Sequence, residues 1–212
     1  ALARAIFGDR PFTSGQMRLS GRPFSPRSPR QAVRAGVGFL PDDRKRDGLL
    51  LAQTLRDNAA LALRAFAAAL GRPATGAMSS KVLDERMRTL DVRTARYDNP
   101  IRLLSGGNQQ KVIIARWLAR DPQLIVFAEP TRGIDVAAKA AIYAIMRDLA
   151  ERGRALIMVS SDLPELIGVS DRIVVMHEGR IAGELPGGAS EEDLMALAVG
   201  HRSPKSEHEL AS

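Results

Sequence analysis

The 212-residue sequence contains no cysteine, which excludes disulfide bonds and thiolate metal sites and fits a reducing compartment. Aromatic residues make up only 4% of the chain, too few to form the stacking platform that binds single-stranded nucleic acid. No apolar run approaches the roughly 18 residues that a membrane-spanning helix needs. The pattern G-x-x-x-x-G-K-[ST], a glycine-rich phosphate loop, is also missing.

The charge balance is basic, because 31 Lys and Arg residues against 24 Asp and Glu residues give a formal net charge of +7. Such a balance can indicate nucleic acid or an anionic surface as a partner. Here the basic residues are mostly arginine and are scattered over nearly every predicted element. We therefore interpret them as a solvated surface and predict no nucleic-acid partner. At 45% hydrophobic, the chain can bury a core.

Strand and helix patterns alternate along the sequence, which predicts an α/β fold with a mostly parallel sheet. Strands are predicted at residues 37–40, 124–127, 155–159 and 172–176. The continuous apolar runs 124–127 and 155–159 predict strands that are buried on both faces. Strand–turn–strand patterns at 16–24 and 172–182 predict an antiparallel part at the edge. Helices are predicted at residues 28–36, 54–70, 79–90, 112–118, 136–152 and 163–169.

Capping residues mark several of the predicted helix boundaries. The first residues have the pattern of a helix end closed by Gly8, so we expect the chain to begin inside a domain. Ser28 followed by Pro29 predicts a serine-capped helix start. Ser190, followed by three acidic residues, resembles a capping box that opens a last helix. The polar residues 201–212 are predicted to be a disordered tail.

The segment from residue 51 to residue 104 is rich in alanine and leucine and contains no strand pattern. We predict that it is a helical subdomain inserted into an αβ core of residues 1–50 and 105–200. Residues 1–200 would then form one domain.

The most informative stretch reads Leu-Leu-Ser-Gly-Gly-Asn-Gln-Gln-Lys at residues 103–111 and precedes the apolar run 112–118. Ser105, Gly106 and Gly107 describe a loop that turns into a helix. A helix start has unpaired backbone N–H groups and the positive end of the helix dipole, so it attracts anions. The alternative is an ordinary serine N-cap followed by flexible glycines.

Two further segments have both a functional and a plain interpretation. Glu129 follows the predicted strand 124–127, at the strand end where α/β proteins place ligand chemistry. Its carboxylate could polarise a water that attacks a phosphate, or it could simply cap the next turn. The densely charged residues 41–48 are either a solvated turn or a loop that faces phosphate or a partner.

In order and spacing, these segments resemble the ATP-binding cassette of ABC transporters, a P-loop NTPase-like fold, over nearly the whole chain. Residues 103–111 look like the signature motif, the strand before Glu129 like the Walker B strand, and the Gly-Ile-Asp that ends at Asp135 like the D-loop. Residues 41–48 look like the Q-loop region.

Several of these segments are typical of one branch of that family, the importers of ribose-, xylose- or galactose-like monosaccharides. Asn108 and Gln109 after the two glycines belong to this pattern, as do residues 43–48 and 129–136. In such importers one polypeptide carries two cassettes, and this sequence resembles the second, C-terminal one.

The sequence departs from the family pattern at four places. The phosphate loop (Walker A) is missing, and the first helix resembles the one that follows that loop, so we expect the loop to have been lost upstream. Ala128 stands where the Walker B strand has the aspartate of the Mg²⁺ shell. Ser161 stands at the switch-loop histidine, and Asp42 at the Q-loop glutamine; these last two resemble the second cassette of sugar importers.

The resemblance implies that two cassettes enclose ATP, each nucleotide lying between the phosphate loop of one and the signature of the other. Glu129 is the expected catalytic carboxylate, and no residue is assigned as a metal ligand. ATP and Mg²⁺ are the expected cofactors, shared with a partner cassette. The residues expected to contact nucleotide are Ser105, Gly106, Gly107, Asn108, Gln109, Asp42, Asp135 and Ser161.

The resemblance also implies partners and a location. We expect a second cassette, a membrane permease that docks on the helical subdomain, and indirectly an extracellular or periplasmic sugar-binding protein. The location would be the cytoplasmic face of the cell membrane, as a peripheral subunit. Whether the chain alone is an enzyme stays open, although we expect it to be inactive. The alternatives are a soluble ABC-type ATPase that acts on nucleic acid or ribosomes, and a non-functional gene fragment.

Overall fold

The computed structural model describes residues 1–11, 14–69, 76–94 and 96–200. The chain divides into two compact units, Ala1–Val159 and Ser160–Ser212. The tail predicted at 201–212 lies outside the described residues. Among the helices in the described ranges, none has the length and apolarity that crossing a membrane requires.

The first unit contains the helices and strands that were predicted for it, with shifted ends. In chain order its elements are α1 (Leu2–Ile6), β1 (Arg18–Leu19), β2 (Arg22–Pro23), α2 (Pro29–Arg34), β3 (Val37–Leu40), a π-helical turn (Arg44–Gly48), α3 (Leu55–Ala69), α4 (Gly76–Thr89), a 3-10 turn (Ile101–Leu103), α5 (Gly106–Leu118), β4 (Leu124–Ala128), α6 (Val136–Glu151) and β5 (Ala155–Val159).

A parallel sheet with the strand order β3-β4-β5 forms the base of this unit. All five residues of β4 are buried, so the prediction of a strand covered on both faces is confirmed there. For β5 that prediction is wrong, because Ala155 and Val159 are exposed and the residues between them are half-buried. The reason is position, since β5 lies at the edge of this sheet and pairs with β4 on one side.

The start of α2 differs from the prediction in its cap. Ser28 is the N-cap residue, but its side chain forms no capping hydrogen bond. Instead, the backbone carbonyl of Ser28 accepts from the amides of Gln31 and Ala32. Pro29 at the first helical position fixes the backbone in a helical conformation. The helix therefore starts through proline geometry rather than a serine hydroxyl.

Helix α5 lies at the centre of the unit, against α3, α4, α6 and β3. Residues 109–117 are all buried, so the helix has no solvent-facing stripe over that length. Four of its buried side chains are polar or charged, and such groups need hydrogen-bond partners inside the protein. They are Gln109, Gln110, Lys111 and Arg116.

The first helix and β3 meet α5 through aromatic rings. The rings of Phe7 and Phe39 are stacked, with centroids 4.9 Å apart. Phe7 also contacts Trp117 edge-on, with centroids 5.7 Å apart. Gly8 follows with a φ of +74°, and a side chain there would meet the backbone of Ser28 at 2.7 Å. This position therefore requires glycine, as predicted for the end of the first helix.

Helices α3 and α4 match the helical pattern of the central segment. The fully buried Asn58 of α3 accepts a hydrogen bond from the Leu50 amide at 2.8 Å and donates to the Leu50 carbonyl at 2.9 Å. This pair fixes the chain where it leaves the π-helical turn. That residues 51–104 form a separate subdomain stays a prediction.

The second unit contains α7 (Leu163–Val169), β6 (Arg172–His177), β7 (Arg180–Pro186) and α8 (Glu191–Ala198). β6 and β7 form the predicted antiparallel hairpin. Its core comprises Ile173, Val175, Leu194 and Leu197. The Ser190 hydroxyl accepts from the Asp193 amide at 3.1 Å and donates to the Asp193 carboxylate at 2.7 Å, so the predicted cap opens α8.

Candidate functional site

The start of α5 has the geometry of an anion site. Ser105 is the N-cap, and its Oγ accepts from the amide and the side-chain nitrogen of Asn108 at 3.4 and 3.1 Å. The Ser105 carbonyl accepts from the Gln109 amide at 2.9 Å. The amides of Gly106 and Gly107 are among the first of the helix and have no intrahelical acceptor. They can therefore serve an anion that approaches the helix start.

Both glycines of the motif are held in tight contacts. A Cβ on Gly106 would lie 2.6 Å from Nη2 of Arg44 and 3.1 Å from the Gly133 carbonyl oxygen. A Cβ on Gly107 would lie 2.5 Å from the Cβ of Ala138 in the first turn of α6. The glycines therefore let the start of α5 approach residues 133–134 and the first turn of α6 closely, so they do more than make the loop flexible.

We expect Gly107→Ala to destabilise the chain by about 1–3 kcal/mol, because it overpacks a buried contact. The compensating Ala138→Gly, added to Gly107→Ala, should recover part of the loss by removing the colliding methyl group. Urea denaturation of both variants measures the effect.

The matched control for this substitution is Gly168→Ala in α7, where an added Cβ meets nothing within 4 Å. It should be neutral or stabilising by up to about 1 kcal/mol. If Gly107→Ala proved as stable as this control, the close approach of α5 and α6 would be contradicted.

The two polar residues after the glycines hold the motif in place. Asn108 accepts from the Arg93 amide through Oδ1 at 2.9 Å. Gln109 is only 5% exposed, and its side-chain nitrogen donates to the carbonyls of Ile101 and Leu104 at 3.3 and 3.2 Å. Both residues therefore brace the helix start against the chain segments around it.

Arg44, which sequence reasoning did not single out, joins the start of α5 to residues 132–133. Its guanidinium donates to the carbonyl oxygens of Arg132 and Gly133 at 2.7 and 3.1 Å, and to Oε1 of Gln109 at 3.3 Å. Burial lowers the pKa of Arg44, while the neighbouring Asp43 raises it. The sequence feature that could have indicated Arg44 is the high density of charge at residues 41–48, because a charged loop faces either solvent or a ligand such as phosphate.

Two buried polar residues of α5 were also missed. Gln110, only 1% exposed, donates to the Pro130 carbonyl at 2.6 Å. Arg116 donates to the carbonyls of Asn58 and Gly48, each at 2.8 Å. Burial lowers the pKa of Arg116 to about 10, so the side chain stays charged at neutral pH. α5 is thus tied to the turn after β4, to α3 and to the π-helical turn.

Glu129 lies directly after β4 with a φ of +49°, in the left-handed region that non-glycine residues rarely adopt. Its amide donates to the Val159 carbonyl at 2.8 Å, and its carbonyl accepts from the Arg132 amide at 3.2 Å. The half-buried carboxylate is therefore placed at the carboxyl edge of the sheet by a strained backbone, a conformation that clusters at functional sites.

The residues at this strand end do not fit a Mg²⁺ ion bound by this chain alone. Ala128, 7% exposed, ends β4 with a methyl group, which cannot join the oxygen shell that Mg²⁺ requires. Within the ranges that the structure describes, no cluster of three or more His, Cys, Asp or Glu side chains could hold a metal.

Of the remaining candidate residues, Asp42 and Asp135 lie in the first unit. Asp42 pairs with Arg4 of α1 at 3.3 Å, and Arg4 also bonds Asp47, which holds the pKa of that carboxyl below its usual range. Asp135 caps α6 by accepting from the Ala138 amide at 2.8 Å. Ser161 belongs to the second unit, directly before the Asp162 cap of α7. The first unit thus brings together residues 105–109 and residues 132–133 through Arg44.

Comparisons with known proteins match this chain to a family. The model of the ABC transporter family matches residues 1–132. The chain is 43% identical over 202 residues to the ribose import ATP-binding protein of Bacillus subtilis, covering 95% of this chain and 41% of the relative. It is 45% identical over 200 residues to the arabinose import ATP-binding protein of Burkholderia pseudomallei, covering 93% of this chain and 40% of that relative. The chain thus spans about two fifths of these relatives.

Solved structures match the fold. A nucleotide-free ATP-binding cassette from an ABC transporter superposes with a TM-score of 0.76 at 20% identity, covering 96% of this chain and 79% of that one. A dimeric cassette in a post-hydrolysis state with ADP and phosphate superposes with a TM-score of 0.72 at 22% identity, covering 87% of this chain and 78% of that one. These likenesses confirm the cassette-type α/β fold. Together with the match over residues 1–132, they complete the assignment: the chain belongs to the ABC transporter family.

Proposed function

We propose that the chain is a degenerate nucleotide-binding domain of an ABC sugar importer, which contributes its signature motif to an ATP molecule held by a partner cassette. The observation that carries the proposal is a contrast within the first unit. The start of α5 is intact and braced, with Arg44 beside Gly106. The strand end at Ala128 has a methyl group in place of the metal-shell carboxylate.

The chemistry at the start of α5 suits the γ-phosphate of ATP. The amides of Gly106 and Gly107 and the positive end of the helix dipole favour an anion. The hydroxyl of the exposed Ser105 adds a hydrogen-bond donor. Among the other candidates, Asn108 and Gln109 position this start, and Asp135 caps the helix that Gly107 touches.

The chain's own nucleotide site is proposed to be weak or inactive. Glu129 occupies the position of the catalytic carboxylate, which would orient an attacking water. It lies next to Ala128 rather than an aspartate, and therefore lacks the metal whose charge assists phosphoryl transfer. Asp42 is proposed to border that site, and nucleotide contact by Ser161 stays a prediction. ATP and Mg²⁺ would be shared with, and mainly held by, the partner.

The proposed partners follow from the relatives. Proteins that import ribose and arabinose match this chain at 43% and 45% identity, which supports monosaccharide uptake as the process. A second cassette would complete the nucleotide sandwich, and one solved cassette of this fold is a dimer. A membrane permease would dock on residues 51–104 beside Asp42 and receive sugar from a sugar-binding protein. The domain would then act at the cytoplasmic face of the membrane.

We expect the isolated chain to show no ATP hydrolysis above background. The test compares it with the two-cassette polypeptide, a single polypeptide in which the chain follows a cassette with an intact phosphate loop. Hydrolysis should appear in that polypeptide, because ATP bound by the first cassette can meet the signature of this one.

The control for this comparison is the two-cassette polypeptide with the phosphate-loop lysine of the first cassette replaced by alanine. It should lose hydrolysis and so define the contaminating background. Turnover by the isolated chain that survives removal of contaminating enzymes would overturn the proposal of a degenerate site.

A further inference from the structure

The guanidinium of Arg44 lies where three distant parts of the first unit meet. It comes from the π-helical turn after β3, bonds Gln109 in α5, and bonds the carbonyls of Arg132 and Gly133 in the D-loop. These partners lie 65 to 89 residues away along the chain. The contact is therefore made by the tertiary fold and not by the local turn.

The three hydrogen bonds that Arg44 donates to described residues all end on neutral oxygen atoms. Each uses a different nitrogen of the planar fork, and the lengths run from 2.7 to 3.3 Å. A lysine ammonium is a compact point charge on a flexible stem and does not reproduce this fork. The bonds thus depend on the shape of the guanidinium as well as on its charge.

The placement of this charge has a cost in the isolated chain. Arg44 is half-buried, and the resulting desolvation lowers its pKa. It also lies against Gly106, at the positive end of α5, where the helix dipole disfavours a cation. An anion at the same helix start would offset both effects, because it would face the guanidinium and the first amides together.

We propose that Arg44 is a positioning residue for the signature site: it fastens the D-loop carbonyls at residues 132–133 to the start of α5, so that both segments meet the partner's nucleotide as one surface. The inference rests on the proposed function for the identity of the anion. The fastening itself is a property of this chain and can be measured without a partner.

The first test is hydrogen–deuterium exchange of the isolated chain with Arg44→Met and Arg44→Lys. Amides in residues 103–111 and 129–135 should exchange at least about tenfold faster in both variants, because either substitution releases the two segments. The hairpin residues 172–186 should not change. The matched control is Arg46→Lys, in the same turn. The Nε of Arg46 lies 3.1 Å from Asp47 and its side chain is 74% exposed, so amide exchange in this variant should equal that of the wild type.

The second test measures ATP hydrolysis by the two-cassette polypeptide with the same substitutions. We expect kcat to fall about tenfold for Arg44→Lys and Arg44→Met, with KM for ATP changed less than about threefold, since ATP is held by the other cassette. The melting temperature of the Lys variant should stay near that of the wild type. A general structural role would lower the melting temperature and leave kcat per folded molecule unchanged.

The two tests separate the possible failures. Wild-type exchange in both segments for Arg44→Met, or a wild-type kcat for Arg44→Lys, would overturn the positioning role. If exchange rises as expected but the wild-type two-cassette polypeptide hydrolyses no ATP, the fastening stands and the proposed function fails.

Discussion

Gly106→Asp is expected to abolish ATP turnover by the two-cassette polypeptide, lowering kcat by about 100-fold or more, the scale of losing a preorganised donor to a developing anion. The Cβ that carries the new carboxylate would lie 2.6 Å from Nη2 of Arg44, so the guanidinium would shift and pair with the carboxylate. It would thereby cancel the positive charge at the helix start and repel the γ-phosphate. Steady-state hydrolysis with the purified polypeptide measures the loss.

Two controls separate charge from size at this position. Gly106→Ala adds the same Cβ without the carboxylate. The ratio of kcat for the Asp variant to kcat for the Ala variant therefore measures the effect of the charge. Gly168→Asp adds the same charge in α7, where a Cβ meets nothing within 4 Å, and should leave hydrolysis unchanged. Wild-type hydrolysis by Gly106→Asp would refute the assignment of residues 105–107 to the γ-phosphate.

Gln110→Glu is expected to destabilise the isolated chain by several kcal/mol at pH 7, the range measured for burying an uncompensated carboxylate. Gln110 is 1% exposed, and its side-chain nitrogen donates to the Pro130 carbonyl. An ionised glutamate can only accept hydrogen bonds, so its oxygen would face the Pro130 oxygen without a proton between them.

This loss should depend on pH in a definite direction. Burial and the facing carbonyl raise the pKa of the introduced carboxyl in the folded state above its unfolded value of about 4.3. Between those two values the folded state binds the extra proton, so stability relative to the wild type falls by about 1.4 kcal/mol per pH unit as the pH rises. Below about pH 4 the protonated carboxyl can donate to Pro130 and most of the difference should vanish.

Chemical denaturation at a series of pH values measures this effect. The matched control is Gln31→Glu in α2, an exposed residue whose Oε1 accepts from the Arg27 amide at 2.7 Å. A glutamate can accept that bond as well, so its stability should follow the wild type at each pH. A flat pH dependence for Gln110→Glu would contradict the buried contact between α5 and the turn after β4.

Local patterns were enough to predict most of the fold. The continuous apolar run of β4 predicted a strand buried on both faces, and the alternation of strands and helices predicted the parallel sheet. The same pattern was wrong for β5, because an apolar run does not reveal whether a strand has a neighbour on each side. Similarly, Ser28 had the sequence of a side-chain cap, but its hydroxyl forms no capping hydrogen bond and α2 begins with Pro29 at its first position.

The site was harder to predict from the sequence. Ser105, Gly106 and Gly107 stood out because a helix start and its cap are local features. Arg44 and Gln110 were missed, because their partners lie far away in sequence. Arg44 reaches 88 residues to Arg132, and Gln110 reaches 20 residues to Pro130. The sequence shows Arg44 only as part of a charged loop and Gln110 only as a polar residue in a helix. Their hydrogen-bond partners become visible only in the packed tertiary structure.

The central claim is that residues 105–107 serve a nucleotide held by another cassette, and photolabelling tests it most directly. Trypsin cleaves after Arg102 and Lys111, so the whole motif leaves the protein as the peptide 103–111. An ATP analogue with an azido group on its γ-phosphate should label this peptide in the two-cassette polypeptide and leave it unlabelled in the isolated chain. Equal labelling of the isolated chain, or a two-cassette polypeptide labelled only elsewhere, would contradict the claim.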